Sequence, residues 1–243
     1  MKLAAIYNVW DGAELLTGSI DQIHEFVDEI IIVYQTISNF GEHYNPLPDF
    51  TVKYPDKTKL ILFEPKENCG FPNEVLKRNI GLQAAKELKC THFLFMDCDE
   101  YYFDFGKAKQ MYIDSGANGS VCKIITYFKL PTLRFENVDG YYVPFIHVLN
   151  PTTLAGGKIY PYYVDPTRRV NEQNVVLLDV VMQHYSWVRK NIRRKAENSS
   201  AKFNIEKGTM LLDYNNPNCG EGFYVVDYDQ KLISVPNYFN ITF

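Results

Sequence analysis

The sequence predicts an α/β protein: a mixed, mostly parallel sheet flanked by helices. Three observations carry this. Apolar runs of strand length recur through the first hundred residues, at 3–7, 29–34, 59–63 and 93–96. Between most of them lie segments whose apolar residues repeat at helical spacing. The runs are apolar throughout rather than alternating, as expected for strands covered on both faces. Strand and helix in alternation make neighbouring strands parallel, through right-handed crossovers.

In chain order, residues 3–7 read as the first strand, ending at Asn8. Asp11 or Gly12 opens a helix that carries Leu15, Leu16, Ile20, Ile23 and Phe26 on one face. Glu29-Ile30-Ile31-Ile32-Val33-Tyr34 is the second strand and completes a βαβ unit. Residues 35–57 are polar, contain three prolines and read mostly as loop. After a third strand at 59–63, Asn68-Cys69-Gly70-Phe71-Pro72 marks a turn with Asn73 as N-cap. A helix is expected from 74 to 88, with Val75, Leu76, Ile80, Leu82, Ala84, Ala85 and Leu88 as its apolar face. It leads into the 93–96 strand. Beyond Tyr102 the pattern predicts a helix over 105–115, a strand over 120–128 and an apolar strand over 175–182. A basic amphipathic helix is expected from Trp187 to Asn204, and a terminal hairpin from 223–226 and 232–235. Residues 129–170, rich in Pro, Gly and Tyr, read as pocket-shaping strands and loops.

The 243 residues are 46% hydrophobic and 22% charged, an ordinary globular balance, and suffice for one large core. A net charge of −4 argues against a protein that coats nucleic acid. Five cysteines at 69, 90, 98, 122 and 219 form no Cys-x-x-Cys pair. Their odd number fits neither a disulfide framework nor a zinc module and points to a reducing compartment, so a cytoplasmic location is expected. The apolar start at residues 3–7 is too short for a signal peptide, and no run approaches the roughly 20 apolar residues of a membrane helix.

The chemistry concentrates in Phe93-Leu94-Phe95-Met96-Asp97-Cys98-Asp99-Glu100. Side chains alternate along a strand, so Asp97 and Asp99 are expected on one face and Cys98 on the other. Two neighbouring carboxylates at a strand end repel each other, and a divalent cation with hard oxygen ligands relieves that repulsion. Ligands of open α/β sheets gather at the carboxyl ends of strands. The stretch therefore predicts a metal-assisted site for an anionic substrate.

Three segments resemble family-2-type glycosyltransferases of the GT-A fold, among them bacterial envelope-sugar transferases. One is Lys77-Arg78-Asn79-Ile80-Gly81-Leu82 followed by the strand ending in Asp97-Cys98-Asp99. Another is the opening βαβ, with the loop Asn8-Val9-Trp10-Asp11 where the family touches nucleotide. The third is Arg168-Arg169-Val170-Asn171-Glu172 followed by Gln183-His184-Tyr185-Ser186-Trp187-Val188-Arg189. The family's usual Asp after strand two is replaced by Tyr34-Gln35, and its His before the Glu by Asn171. The resemblance covers about residues 1–205.

It implies a single GT-A domain: a nucleotide-sugar-binding half (1–105), a half that supplies acceptor and metal contacts (106–205), and a C-terminal hairpin and tail (206–243). It implies transfer of a sugar from a UDP- or GDP-sugar to a hydroxyl of a glycan, lipid, protein or nucleobase, with inversion. Asp97, Asp99 and His184 would meet Mn²⁺ (or Mg²⁺), imidazole suiting manganese. Asn8, Asp11, Arg78, Asn79 and Asp97 would bind the nucleotide-sugar. Glu172 would be the general base, with Asp165 and Asp139 in the same region. Lys190, Arg193, Arg194 and Lys195 would meet phosphate or lie as a solvated helix face. Two other readings stand beside this one. A nucleotidyltransferase of related fold would carry a Gly-rich basic loop after strand one, which Asn8-Val9-Trp10-Asp11-Gly12-Ala13 lacks. A catalytically inactive carbohydrate- or nucleotide-binding protein would not need Asp97, Asp99 and His184.

Overall fold

The computed structural model describes residues 1–66, 69–199 and 209–243. Among them eleven strands form one mixed sheet, in the order β10-β11-β7-β6-β8-β4-β1-β2-β3, with β5 and β9 branching from it. The first half is parallel: β1 (Leu3–Val9) lies between β2 (Glu29–Tyr34) and β4 (His92–Asp97), and β3 (Thr58–Leu62) borders β2. The chain thus reverses direction around β1, which opens a crevice at the carboxyl ends of β1 and β4.

Strand alternation sorts β1 between two cores. Leu3, Ala5, Tyr7 and Val9 pack with Leu16, Ile20 and Ile23 of α1 (Ala13–Ile23) and with Phe105 and Tyr112 of α3 (Phe105–Ser115). Ala4 and Ile6 face Leu82, Ala84 and Ala85 of α2 (Gly70–Glu87) on the other side. Two-sided burial is why β1, β2 and β4 read as continuous apolar runs; β3, at the edge of the sheet, is also apolar yet leaves Leu60 and Leu62 exposed. α3 is fixed at both ends: the Asp104 carboxylate accepts from the Lys107 amide at 2.8 Å, and Gly116 closes it in the left-handed conformation.

Helix α2 starts at Gly70, four residues before the expected position. Asn73 lies inside it and does not cap it. Its side chain bonds the backbone N–H and C=O of Lys66 instead, pinning the preceding loop. The inward face of α2 is also more polar than expected, with Asn73, Lys77 and Arg78 buried and Leu76 exposed.

The second half is built on β6 (Gly119–Phe128). It pairs antiparallel with β7 (Leu133–Phe135) and β8 (Val143–Val148), and parallel with β9 (Val175–Trp187). β9 runs past Met182 because Gln183 to Trp187 continue to pair with β6, and Gln183 and His184 also pair with β5 (Glu100–Tyr101). The basic helix is correspondingly short. Trp187 belongs to the strand, and α4 spans Ile192–Asn198, capped by Asn191. The expected continuation to 204 falls largely outside the described residues. After α5 (Met210–Asn215), β10 (Tyr224–Val225) and β11 (Gln230–Ser234) form the terminal hairpin and join the sheet through β7.

Gly81 is the closest approach of α2 to the sheet: a Cβ there would lie 2.2 Å from Ile6 Cγ2. Gly81→Ala should lower stability by about 1–3 kcal/mol through overpacking, measured by urea denaturation. Combined with Ile6→Ala, the loss should fall short of the sum of the two single losses.

Candidate nucleotide-sugar site

The crevice beyond β1 and β4 holds a cavity of about 300 Å³. Its wall includes Asn8, Asp11, Arg78, Asp97, Asp99 and His184, six of the eight side chains singled out from the sequence. Arg194 and Lys195 of α4 also line it, so part of the basic helix faces the site.

Asp97 ends β4, and a turn through Cys98 and Asp99 leads into β5. Both carboxylates reach the cavity, but they do not share one counter-charge. Asp97 pairs with Arg168 at 2.5 Å and Arg78 at 3.3 Å. Asp99 pairs through Oδ2 with Arg189. Burial alone would raise both carboxyls. Arg168 and Arg78 instead hold Asp97 down at about 2, and chiefly Arg189 holds Asp99 well below the carboxylate range. Glu100, buried behind them, also bonds Arg168, yet its desolvation and the nearby Asp97 push it up to about 7. Burial pushes the Cys98 thiol far up, so it offers no thiolate.

His184 arrives from the far end of the chain through the β5–β9 pairing, which sets it opposite Glu100. Its Nε2 lies 3.8 Å from Asp99 Oδ1. Burial lowers the imidazole to about 4, so it is neutral at physiological pH, the form that ligates metals. Asp99 Oδ1 is buried and has no hydrogen-bond partner among the described residues. A free carboxylate oxygen beside a neutral imidazole nitrogen is a donor pair that suits a divalent cation. Two such groups do not make a closed cage, and among the described residues no three His, Cys, Asp or Glu side chains converge as one. A cation here would need the remaining ligands from substrate and water.

Asn8, which the β1–β4 register sets beside Asp97, belongs to an amide network that also lines the cavity. Gln35 Nε2 donates to Ile37 O and Asn39 Oδ1. Asn39 and Asn8 each donate to the Glu74 carboxylate, and Lys77 pairs with Glu74 at 3.0 Å. These bonds leave Asn8 Oδ1 and Gln35 Oε1 buried and unpartnered among the described residues; so are Arg78 Nη1 and Trp10 Nε1. Unmatched donors and acceptors around one cavity are what a polar ligand satisfies on binding.

Asn79 does not reach the cavity. Its Oδ1 accepts from the Ala155 amide, so it ties α2 to the 155 loop and not to the Asp97 turn. Glu172 lines a different cavity, with Asn118, His147 and Asn171, and its Oε1 caps the amides of Gln173 and Asn174. Asp165 does line the main cavity, together with a small adjoining pocket bounded by Asp97, Tyr141 and His184. Arg168 and Arg189 were visible only as members of a motif. The signal for their role was that three acidic residues at a buried strand end require cations from elsewhere in the chain.

No family model matches the chain, and no curated protein does. Among solved structures, Staphylococcus aureus TarS residues 1–349 shares 12% identity over 85% of this chain and 72% of that one, with a TM-score of 0.50. Full TarS gives 14% identity over 88% and 43%, with a TM-score of 0.47. The TarS fragment in complex with UDP gives 16% over 52% and 36%, with a TM-score of 0.40. The chain thus spans between about a third and three quarters of the lengths of these structures. At such identities the likeness is one of fold: the protein has the GT-A-like α/β architecture.

Glu100 supplies a test of the carboxylate cluster. With its folded value near 7, above the ordinary 4.5, the folded protein keeps a proton that the unfolded chain releases between those pH values. The group therefore favours folding at the acid end of that window and loses this contribution as pH rises. Glu100→Gln should flatten the decline in stability between about pH 4.5 and 7 relative to wild type, followed by denaturation at several pH values.

Proposed function

We infer that the protein is a glycosyltransferase that takes its sugar from a nucleoside-diphosphate donor with the help of a divalent cation. The observation that carries this reading is the meeting of Asp99 Oδ1 and His184 Nε2 across 85 residues of sequence, beside Asp97, at the carboxyl end of β4. Mn²⁺ (or Mg²⁺) would be held by Asp99 and His184, and it would supply Lewis-acid stabilisation of the diphosphate leaving group. Asp97, already fixed by Arg78 and Arg168, is better placed to hold the donor's ribose or sugar than to ligate directly. Arg194 and Lys195 add positive charge where the diphosphate would lie. The amide network around Asn8 and Gln35 suits the nucleoside end.

In an inverting transfer the acceptor oxygen forms a bond to the anomeric carbon. The bond from that carbon to the diphosphate oxygen breaks, and the acceptor's proton passes to a carboxylate. Glu172 faces another cavity, so we assign this role to Asp165, which borders both the main cavity and the pocket beside Asp97 and His184.

Calorimetry with UDP and GDP, with and without Mn²⁺, tests the reading. One of these nucleotides should bind with Mn²⁺ and weaken at least tenfold in EDTA. Asp99→Asn, which also leaves Arg189 short of a counter-charge and so lowers stability, should abolish the metal dependence in the fraction that circular dichroism shows to be folded. Metal-independent or absent binding would favour the inactive binding-protein reading. Asp165→Asn should keep donor binding and lower turnover by roughly 10²–10⁴.

A further inference from the structure

His184 has two nitrogens, and the structure gives each a different neighbour. Nε2 points toward Asp99 Oδ1 at 3.8 Å, beyond hydrogen-bond reach. Nδ1 lies 3.4 Å from the hydroxyl of Thr126. Thr126 is set opposite His184 by the β6–β9 register and is 1% exposed. Its hydroxyl donates to Asp139 Oδ2 at 2.8 Å. Asp139 is clamped to the same strand, since its amide donates to Ile124 O at 2.8 Å.

A hydroxyl has a single proton. With that proton given to Asp139, Thr126 turns a lone pair toward His184, and only a protonated Nδ1 can meet it. Nε2 is then left with its own lone pair facing the free oxygen of Asp99. Two electron-pair donors facing each other across such a gap need a cation, or the protons of a bridging water, between them, and of the two a divalent cation binds both directly.

We propose that Asp139 and Thr126 are positioning residues that hold His184 as its Nδ1–H tautomer, so that Nε2 and Asp99 Oδ1 together present to a divalent cation. The inference rests on the metal-dependent reading for its purpose, but the tautomer itself is a property of the metal-free protein. A hydrogen-bonded partner of this kind fixes the ring and makes the ligating nitrogen more basic, and its loss costs 10–100-fold in metal affinity.

The test is long-range ¹H–¹⁵N NMR of histidine-labelled, metal-free protein, with the His184 signals identified by their loss in His184→Gln. Wild type should show Nδ1 protonated and Nε2 bare. Thr126→Val removes the acceptor lone pair and should shift His184 toward Nε2–H. Asp139→Leu keeps the side chain's bulk and removes the acceptor, which frees the hydroxyl proton to turn toward Nδ1 and should produce the same shift. Both variants should bind Mn²⁺ with UDP or GDP 10–100-fold more weakly by calorimetry, and Thr126→Ser should restore both readouts. An Nε2–H tautomer in wild type, or an unchanged tautomer in the folded variants, overturns the proposal. The expected tautomers with no Mn²⁺ uptake by wild type would confirm the relay and remove the metal from the proposed function.

Discussion

Everything around the cavity follows from one electrostatic constraint. Asp97, Asp99 and Glu100 stand within four residues at the end of a buried strand. Ionised carboxylates in such a place are untenable without cations held in good geometry. Three guanidinium groups meet the need: Arg78 from α2, Arg168 from the turn after Asp165, and Arg189 just beyond β9. The constraint accounts for the polar inner face of α2 and for the length of β9, which must carry His184 and Arg189 back to the carboxyl end of β4. Gly12, whose left-handed backbone (φ +77°) favours glycine, also lets Arg189 approach: a Cβ there would sit 2.9 Å from the guanidinium carbon.

Pairing is incomplete, and the incompleteness has a pattern. Arginines satisfy both oxygens of Asp97 but only Oδ2 of Asp99. The remaining Asp99 oxygen faces His184, whose charge is suppressed by burial. Around Asn8 and Gln35, the side-chain amides donate to Glu74 and to Ile37 O and leave two carbonyl oxygens unpartnered among the described residues. The cavity walls are therefore cross-linked by ion pairs and hydrogen bonds while polar atoms facing the interior are left without partners among the described residues, the combination that pre-organises a polar site.

The architecture was legible because two-sided burial writes itself as uninterrupted apolar runs, and β2, β4 and α3 lie almost where those runs place them. Boundaries slipped where tertiary pairing overrode local pattern: β9 absorbed Trp187 from the expected helix because β6 and β5 supply partners. Within the site, Asp97 and Asp99 stood out through residue type and spacing, and His184 through the resemblance of its segment. Asn79 and Glu172 were drawn from a resemblance of segments, and sequence adjacency to a site residue does not fix which way a side chain faces. The Gln35–Asn39–Glu74 network left no trace in the sequence, since nothing in a polar loop announces which of its amides will be buried.

The ion pairs that join Asp97 to Arg168 and Asp99 to Arg189 span 71 and 90 residues. On the ribosome this spacing becomes a delay. At about 5–20 residues per second, the strand ending in Asp97 emerges roughly 4–20 s before its full set of arginines exists. During that interval the nascent βαβ half has only Arg78 to set against Asp97, Asp99 and Glu100. The wall of the cavity is therefore incomplete until His184, Arg189 and α4 have been synthesised.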